Sequence, residues 1–314
     1  MPSLRRTDAP ALDPGLREAR GAIALANAKV NLVLRVLAKE PTGYHKVETL
    51  FARLALSDHV SVRVDTGNRS LTCDGPAMPA GGLGPPEENL AWRAASAFAE
   101  HGWPRRFSIT ISKNIPVGAG LGGGSADAGA VLRILSALRP TPLPAMRVAS
   151  MAAQLGADVS FLTAESPMAL AWGRGERLLA LPPLPSAQCW VLVPPFAVST
   201  REAYTWLDDE RSANGPSPRP PMSAEALGSW DAIAALATND FGPVVGRRHP
   251  SLAQALEHLR ARGARVALLA GSGSSVFGVF DPPITLHDLA APPELGRWIE
   301  TATMADVVPL RPID

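Results

Sequence analysis

The chain has 314 residues, of which 46% are hydrophobic, and its formal net charge is +1 at pH 7. This composition predicts a globular protein with room for two medium-sized domains. A nearly balanced charge without a basic tract argues against nucleic acid as the main partner. The two cysteines are too few for a disulfide framework or a cysteine metal cluster, and no apolar run reaches the roughly 18 residues of a membrane span. We therefore expect a cytoplasmic protein that has neither a membrane nor a nucleic-acid partner.

The first part of the chain predicts a solvated tail followed by strands. Residues 1–20 carry several charges and lack the apolar core of a signal peptide, so we expect a disordered tail. Residues 23–36 are strand-like although polar side chains interrupt them, and alternating segments at 54–56 and 60–64 predict two short strands. The elements expected next are a loop rich in Pro and Gly over 75–88, a helix over 89–101 and a half-buried strand over 107–112.

A glycine-rich segment after this strand is the most informative part of the sequence. Residues 114–128 read Asn-Ile-Pro-Val-Gly-Ala-Gly-Leu-Gly-Gly-Gly-Ser-Ala-Asp-Ala. Glycine has no Cβ, so such a loop can adopt positive φ and bring backbone N–H groups close to an anion. The helix that follows adds free N–H groups and the positive end of its dipole. The segment therefore predicts a site for nucleotide phosphates.

Two other phosphate-loop patterns fail on the same residues. Gly118, Gly120 and Gly123 satisfy the G-x-G-x-x-G dinucleotide fingerprint, but that fingerprint needs an acidic residue about 20 positions further on. Residues 128–157 contain no Asp or Glu. In the Walker pattern, Gly124 stands where a lysine is required. A surface loop without a ligand is disfavoured because ordering so many glycines costs conformational entropy.

The chain after the loop continues to alternate helices and strands. An apolar helix face begins at Ser125 and stops before Pro140, and a second helix over 144–155 ends at Gly156. Later segments predict strands over 168–172, 189–193, 266–269 and 276–280, a helix over 251–262 and a flexible Pro/Ser-rich insertion over 214–221.

Two charged residues lie among apolar neighbours and are candidates for catalysis. Lys29 interrupts the first apolar strand, and Asp158 follows two residues after Gly156. A buried charge needs a partner, and an ion pair of these two would satisfy both. Phosphoryl transfer needs a group that receives or orients the proton of the nucleophile, and Asp158 is the best acid for that role. A lysine on a solvated strand face and an Asp that caps a turn are the plainer alternatives.

The pattern Pro-x-x-x-Gly-Leu-Gly-Gly-Gly-Ser-Ala resembles the phosphate loop of the GHMP kinases, the superfamily of galactokinase, homoserine kinase and mevalonate kinase. From about Ala22 to the C-terminus, further motifs occur in the order of one branch of this family: Ala-Lys-Val-Asn-Leu at 28–32, Gly-Tyr-His at 43–45, Leu-Gly-Ala-Asp-Val at 155–159, Asn-Asp-Phe at 239–241 and Gly-Ser-Gly-Ser at 271–274. That branch phosphorylates the 2-hydroxyl of a cytidylyl-linked methylerythritol in the non-mevalonate isoprenoid pathway, and the resemblance implies the same reaction here.

The resemblance also implies the two-domain α+β fold of the GHMP kinases. We expect an ATP-binding and catalytic domain over 21–180, similar to domain 2 of ribosomal protein S5. A ferredoxin-like substrate domain is expected over 181–314. ATP is the expected phosphoryl donor, and Mg²⁺ is expected to be held mostly by nucleotide and water, because the sequence shows no dedicated set of metal ligands. The expected partner is the small cytidylyl substrate, and the expected assembly is a monomer or a homodimer.

Carried over to this sequence, the resemblance assigns three groups of site residues. Asp158 is the expected general base, and Lys29 is its partner near the substrate hydroxyl. The residues expected to bind ATP are Lys113, Pro116, Gly118, Gly120, Leu121, Gly122, Gly123, Gly124, Ser125 and Ala126. Those expected to bind the cytidylyl substrate are Asn31, Tyr44, His45, Thr200 and Tyr204, with the ring of Tyr204 stacked on cytosine.

Three positions depart from the family pattern without touching this chemistry. Thr42 replaces an Asp, Ala270 replaces a hydroxyl residue and Gly242 replaces a Glu. Two alternatives stay open. Another GHMP kinase, of the homoserine or mevalonate type, would share the loop but would not need Gly-Tyr-His at 43–45. A non-catalytic family member would bind ATP without turnover, although the intact charged pair argues against it.

Overall fold

Two β-sheets with flanking helices make up the computed structural model, which describes residues 14–65, 67–214, 222–223, 227–290 and 292–313. The strands are β1 (Gly21–Lys39), β2 (His45–Val64), β3 (Ser70–Asp74), β4 (Phe107–Ser112), β5 (Met168–Gly173), β6 (Arg177–Ala180), β7 (Gln188–Val193), β8 (Thr238–Asn239), β9 (Val266–Leu269), β10 (Val276–Phe280), β11 (Arg297–Ala302) and β12 (Arg311–Ile313). The helices are α1 (Pro14–Glu18), α2 (Leu90–Ala99), α3 (Gly123–Leu138), α4 (Ala145–Leu155), α5 (Ala157–Thr163), α6 (Thr200–Asn214), α7 (Trp230–Leu236), α8 (Phe241–Arg248), α9 (Pro250–Ala261) and α10 (Leu286–Leu289). Within these ranges, no helix has the length and apolar character needed to cross a membrane.

The first sheet is built on a long antiparallel hairpin of β1 and β2. Its strand order is β12-β1-β2-β4-β3, while β5 also pairs with β2, β6 pairs with β5, and β8 pairs with β1. The hairpin runs from the pair Gly21 and Arg63 to the pair Lys39 and His45. Its register shifts three times, beside Lys29, just after Asn31 and between Val36 and Lys39. Such bulges bend a strand and re-aim its side chains, and they are common beside functional sites.

Helix α3 is the most deeply buried helix against the first sheet. It packs against α2 and α5 and against strands β1 and β2. Most of its residues are buried, including the charged Asp127 and Arg133. Because the glycine-rich segment leads directly into α3, the position of this helix in the core determines where the loop lies.

The second sheet has the order β11-β7-β10-β9, and all of its pairs are antiparallel. Helix α9 packs against β9 and β10, α8 packs against α9 and β9, and α6 packs against α8. Their shared core includes Leu192, Phe241, Leu259, Val276 and Phe280. This core supports α6 and the loop between β9 and β10, both of which reach the candidate site.

The α+β fold expected for a GHMP kinase is confirmed, and the differences from the predicted elements have local causes. The strands predicted at 54–56 and 60–64 are parts of β2, which continues through polar residues because it pairs with β1 along most of its length. Helix α3 begins two residues before the predicted start at Ser125, because Gly122 forms its N-cap with φ +75°. Helices α5 and α6 were not expected from the sequence pattern.

The prediction of a disordered tail over residues 1–20 is wrong for its last part. Residues 14–18 form α1, which contacts α3, and Leu16 is buried in the core of the first sheet. Residues 1–13 lie outside the described part of the chain. The predicted insertion at 214–221 also lies outside it, except for Asn214 at the end of α6.

The boundary expected between residues 180 and 181 coincides with the end of β6, but the chain does not divide cleanly there. All strands of the second sheet follow residue 187, whereas β8 and β12 return from the later half to pair with β1. The exact limits of the two domains therefore stay a prediction.

Candidate active site

A cleft of about 470 Å³ lies against the glycine-rich loop. Its walls come from β1 and β2, the first turn of α5, the start of α6 and the loop between β9 and β10. Predicted site residues on its lining are Lys29, Asn31, Lys113, Pro116, Gly118, Gly120, Leu121, Gly122, Gly123, Gly124, Ser125, Asp158, Thr200 and Tyr204. The structure thus brings together predicted residues from four separate segments of the sequence.

The glycine-rich loop uses positive φ angles at the positions that shape it. Gly118, Gly120 and Gly122 have φ of +74°, +78° and +75°, a region that side chains with a Cβ rarely adopt. A Cβ on Gly122 would also lie 3.0 Å from the side chain of Lys29. The loop ends at the N-terminus of the 16-residue helix α3, whose first N–H groups lack partners within the helix. This arrangement suits an anion such as a phosphate.

A second loop, between β9 and β10, closes the other side of the glycine-rich loop. A Cβ on Gly120 would lie only 2.1 Å from the carbonyl oxygen of Ala270, so the two backbones meet without room for a side chain. The amide of Asn239 donates to the carbonyl oxygens of Leu269 and Gly271 at 2.7 and 2.8 Å. Asn239 lies on β8, so the Asn-Asp-Phe motif connects the second loop to β1.

Lys29 and Asp158 form an ion pair at the floor of the cleft. Lys29 Nζ lies 3.1 Å from Asp158 Oδ2 and donates to Asn31 Oδ1 at 3.0 Å. Asn31 in turn donates to the hydroxyl of Thr49 at 2.8 Å, and that hydroxyl donates to the carbonyl oxygen of Val33. The Lys29 side chain is 4% exposed, whereas that of Asp158 is 33% exposed. The lysine is therefore fixed, and the carboxylate remains open to a ligand.

The helix that carries Asp158 is held by a buried arginine that the sequence analysis missed. Arg53, on β2, donates to the carbonyl oxygens of Phe161, Leu162 and Ala164 at the end of α5, and to that of Ser166. Burial lowers the pKa of Arg53 to about 9, and the nearby charge of another arginine contributes. These bonds satisfy orphan carbonyl groups of a helix only seven residues long. An arginine within an apolar strand is the signal that could have identified it.

Lys113 lies beneath the loop between two buried carboxylates. Its ammonium donates to Asp58 and, at 2.6 Å, to Asp127. Asp58 also accepts the backbone N–H groups of Asn114 and Ile115, which anchors the start of the loop. Burial alone would lower the pKa of Lys113, but the two carboxylates raise it above its ordinary value. Burial raises the pKa of Asp127 to about 7 against the opposing effect of Lys113, and Asp58 adds to the rise.

His45 and Tyr204 meet at one end of the cleft, although only Tyr204 lines it. Their rings are stacked with centroids 4.7 Å apart, and the edge of Phe241 contacts Tyr204 as well. His45 Nε2 lies 2.7 Å from Asp208 Oδ1, and Lys39 donates to the other carboxylate oxygen at 2.6 Å. Although burial opposes the change, hydrogen bonds from Lys39 and His45 lower the pKa of Asp208. In this structure, His45 covers one face of the Tyr204 ring.

Helix α6 places three polar side chains along one face, four residues apart. Thr200 shares a 2.9 Å hydrogen bond with Ser272 of the second loop, Tyr204 stacks on the histidine and Asp208 binds it. Burial raises the pKa of Tyr204 to about 12, with smaller contributions from Asp158 and Asp208, so its hydroxyl stays a hydrogen-bond donor at neutral pH.

Three of the predicted site residues do not line the cleft. Ala126 is buried within α3, and His45 lies behind Tyr204. Tyr44 is 61% exposed, and the guanidinium of Arg174 lies 4.3 Å from its ring centre. The roles assigned to these residues stay predictions.

Comparisons with known proteins agree with this geometry. The family model described as GHMP kinases N terminal domain matches residues 89–168, and the model described as GHMP kinases C terminal matches residues 223–291. A relative from Geobacter sp. (strain M21), named 4-diphosphocytidyl-2-C-methyl-D-erythritol kinase, is 39% identical over 281 residues, which cover 88% of this chain and 96% of the relative.

Solved structures are similar over nearly the whole chain. A crystal structure of 4-(cytidine 5'-diphospho)-2C-methyl-D-erythritol kinase is 35% identical, with a TM-score of 0.71, and the match covers 90% of this chain and 98% of that one. The homoserine kinase from Cytophaga hutchinsonii is 16% identical, with a TM-score of 0.65 over 94% of this chain and 98% of its own. The second likeness concerns the fold alone.

Proposed function

Because this chain belongs to the 4-diphosphocytidyl-2-C-methyl-D-erythritol kinases of the GHMP kinase family, we propose a specific reaction for its cleft. The protein is an ATP-dependent small-molecule kinase. It transfers the γ-phosphoryl group of ATP to the 2-hydroxyl of 4-diphosphocytidyl-2-C-methyl-D-erythritol in the non-mevalonate isoprenoid pathway. The observation that carries the assignment of the site is the ion pair of Lys29 and Asp158 beside the glycine-rich N-terminus of α3.

Asp158 acts as the general base in this proposal. It takes the proton of the 2-hydroxyl while the oxygen attacks the γ-phosphorus and ADP leaves. Its partial exposure leaves room for the substrate hydroxyl, and Lys29 holds it from the buried side. The hydrogen bond from Lys29 to Asn31 fixes the ammonium next to the position where negative charge develops on the attacking oxygen.

The glycine-rich loop holds the phosphates of ATP through backbone N–H groups and the first turn of α3. The residues proposed to donate N–H groups are Gly118, Gly120, Leu121, Gly122, Gly123, Gly124 and Ser125. Pro116, which has no N–H, and Ala126, whose N–H donates to the carbonyl oxygen of Gly122, flank them at the two ends of the predicted ATP-binding segment. Lys113 supports the loop from beneath, since two carboxylates already share its charge.

A Mg²⁺ ion fits this cleft if phosphates and water supply most of its ligands. Among the described lining residues, the carboxylates are Asp127, which is buried against Lys113, and Asp158. Mg²⁺ bound by nucleotide typically needs only one or two protein carboxylates. When bound, the ion neutralises charge on the transferring phosphoryl group. Asp127 is paired with Lys113 and Asp158 is the proposed base, so phosphate and water oxygens would supply the ligands of the ion.

The cytidine of the substrate is proposed to bind at the end formed by Tyr204, His45 and Tyr44. Thr200 and Asn31 contact the rest of the acceptor along the cleft. Cytosine can stack on the covered face of Tyr204 only if the His45 ring moves aside, because the two rings are in contact. The acceptor and ATP are both small water-soluble molecules, so we expect the enzyme to act in the cytoplasm, as a monomer or a homodimer.

A coupled assay of ADP release tests the reaction directly. We expect turnover with 4-diphosphocytidyl-2-C-methyl-D-erythritol and none above background with homoserine or mevalonate. Comparable turnover with homoserine would replace the proposal with a generic GHMP kinase activity. ATP binding without turnover of any acceptor would support a non-catalytic family member.

The specificity end is tested by Tyr204→Ala, with Thr205→Ala as the control on an exposed neighbouring residue of α6. Stacking of a base on an aromatic ring is worth about 1–3 kcal/mol. Tyr204→Ala should therefore raise the KM for the cytidylyl substrate roughly five- to a hundredfold, and the KM for ATP should not change. If the KM for ATP rises instead, this aromatic belongs to the adenine side.

A further inference from the structure

The turn between β5 and β6 reaches the cleft beside the proposed base. Gly175 has φ +106°, and a Cβ on it would lie 2.8 Å from Ala157, the residue before Asp158. Arg174 and Gly175 both line the cleft. The backbone N–H of Arg174 donates to Glu176 at 2.7 Å, so the turn is held independently of the Arg174 side chain.

The Arg174 side chain extends from this turn toward the segment that precedes His45. Its guanidinium donates to Glu40 at 2.5 and 3.0 Å and to the Thr42 hydroxyl at 3.2 Å. It also lies over the ring of Tyr44. The guanidinium therefore lies between the end of the cleft that holds Asp158 and the segment that includes Tyr44 and His45.

Charge at the cleft singles out the same residue. Among the described lining residues, the cations are Lys29, Lys113 and Arg174. Lys29 is buried beside Asp158, and Lys113 is enclosed by two buried carboxylates. The pair of Arg174 and Glu40 is different, because its side chains are 46% and 22% exposed. An exposed pair contributes little to stability, so exchanging Glu40 for another anion costs little.

We infer that Arg174 binds the diphosphate of the acceptor substrate and exchanges Glu40 for it. This inference deepens the proposed function and rests on it, because a cytidylyl substrate carries a diphosphate between its base and its sugar alcohol. With the base near His45 and the hydroxyl at Asp158, that diphosphate lies where the guanidinium already extends. A guanidinium can bind two phosphate oxygens with two parallel hydrogen bonds. In this structure, Nε and Nη2 of Arg174 both donate to one carboxylate oxygen of Glu40.

Four variants test this exchange in the ADP-release assay. Arg174→Ala should raise the KM for the cytidylyl substrate roughly ten- to a hundredfold, the usual effect of losing charge-assisted hydrogen bonds. Arg174→Lys should fall between the wild type and Arg174→Ala, because it keeps the charge without the fork. Glu40→Gln removes the competing anion and should lower that KM about two- to fivefold, at about the size of an exposed ion pair.

Arg177→Ala is the matched control, because it removes the same charge three residues further along the chain. The Arg177 side chain is 68% exposed. This control should leave both KM values unchanged, and none of the variants should change the KM for ATP. Equal effects of Arg174→Ala and Arg177→Ala, a change in the KM for ATP alone, or a raised acceptor KM in Glu40→Gln would each overturn the inference. If the wild type does not phosphorylate the cytidylyl substrate at all, the proposed function fails first, and this inference falls with it.

Discussion

The two lysines of the cleft both pair with carboxylates, but they differ in how much of each pair is open to solvent. Lys29 is buried while its partner Asp158 is one-third exposed. Lys113 and its partners Asp58 and Asp127 are all nearly fully buried. One cluster can therefore exchange a proton with a ligand, whereas the other is sealed beneath the loop. In the proposed reaction, burial rather than residue type distinguishes the pair that reacts from the cluster that supports the loop.

The hydrogen-bond partners of the two clusters support the same distinction. Asp58 accepts two backbone N–H groups at the start of the glycine-rich loop, so its cluster organises the backbone. Lys29 instead bonds to the side chain of Asn31, and both side chains line the cleft. We expect changes in the first cluster to alter stability and changes in the second to alter turnover.

The largest effect is expected from Asp158→Ala. Loss of the proton acceptor should reduce kcat by roughly 10²–10⁴-fold, the usual size of a general-base effect, while ATP affinity stays close to wild type. Steady-state kinetics and calorimetric titration with ATP measure these quantities. A variant that keeps more than about a tenth of the wild-type kcat would show that Asp158 is not the base, because a general base contributes about 10²-fold or more.

The next largest effect is expected on the stability of Lys113→Met. Urea unfolding measures its free energy of unfolding, which is compared with that of Lys29→Met. Removing Lys113 leaves buried carboxylates without a counter-charge and should lower the free energy of unfolding by about 3–5 kcal/mol. Lys29→Met should cost no more than about 1 kcal/mol, since water can solvate Asp158, yet it should reduce turnover strongly. Equal stability losses in the two variants would contradict the distinction drawn from burial.

The smallest of the three effects is a pH dependence of the free energy of unfolding, which comes from the buried cluster of Lys113, Asp58 and Asp127. The pKa of Asp127 is raised from 3.8 to about 7, so the native state binds more protons than the unfolded state between these values. The free energy of unfolding should therefore fall as pH rises from about 4 to about 7 and level off above it, by an amount on the order of 1–4 kcal/mol.

Asp127→Asn should remove this contribution, whereas Asp209→Asn, at an exposed position on α6, should keep the wild-type slope. Urea unfolding at several pH values gives the comparison. An unchanged slope in Asp127→Asn would show that Asp127 is ionised in the native state across the whole range.

The sequence allowed the loop, its flanking elements and the two members of the Lys29 and Asp158 ion pair to be predicted, because each is a local pattern. The run of glycines predicts the loop, and Lys29 and Asp158 are recognised because they are charged residues within apolar segments. The partners of Lys113 could not be predicted, since Asp58 lies 55 residues away and its position depends on the register of β2. The roles of Arg53 and Arg174 could not be predicted for the same reason, because both side chains bind residues more than 100 positions away in the sequence. Helix α5 could not be predicted because it has only seven residues, too few to show a helical pattern of apolar positions.

Strand β8 is only two residues long, yet it has a consequence for how this chain can be divided. It joins the first sheet from the later half of the sequence, and the adjacent Ala270 presses its carbonyl against Gly120. One side of the glycine-rich loop is therefore covered by a segment 150 residues downstream. A fragment that ended at residue 180 would lack that wall. If the chain were produced as two separate pieces, they would have to rebuild a shared sheet before the proposed nucleotide site was complete. We therefore expect neither half to bind ATP when it is moved into another protein.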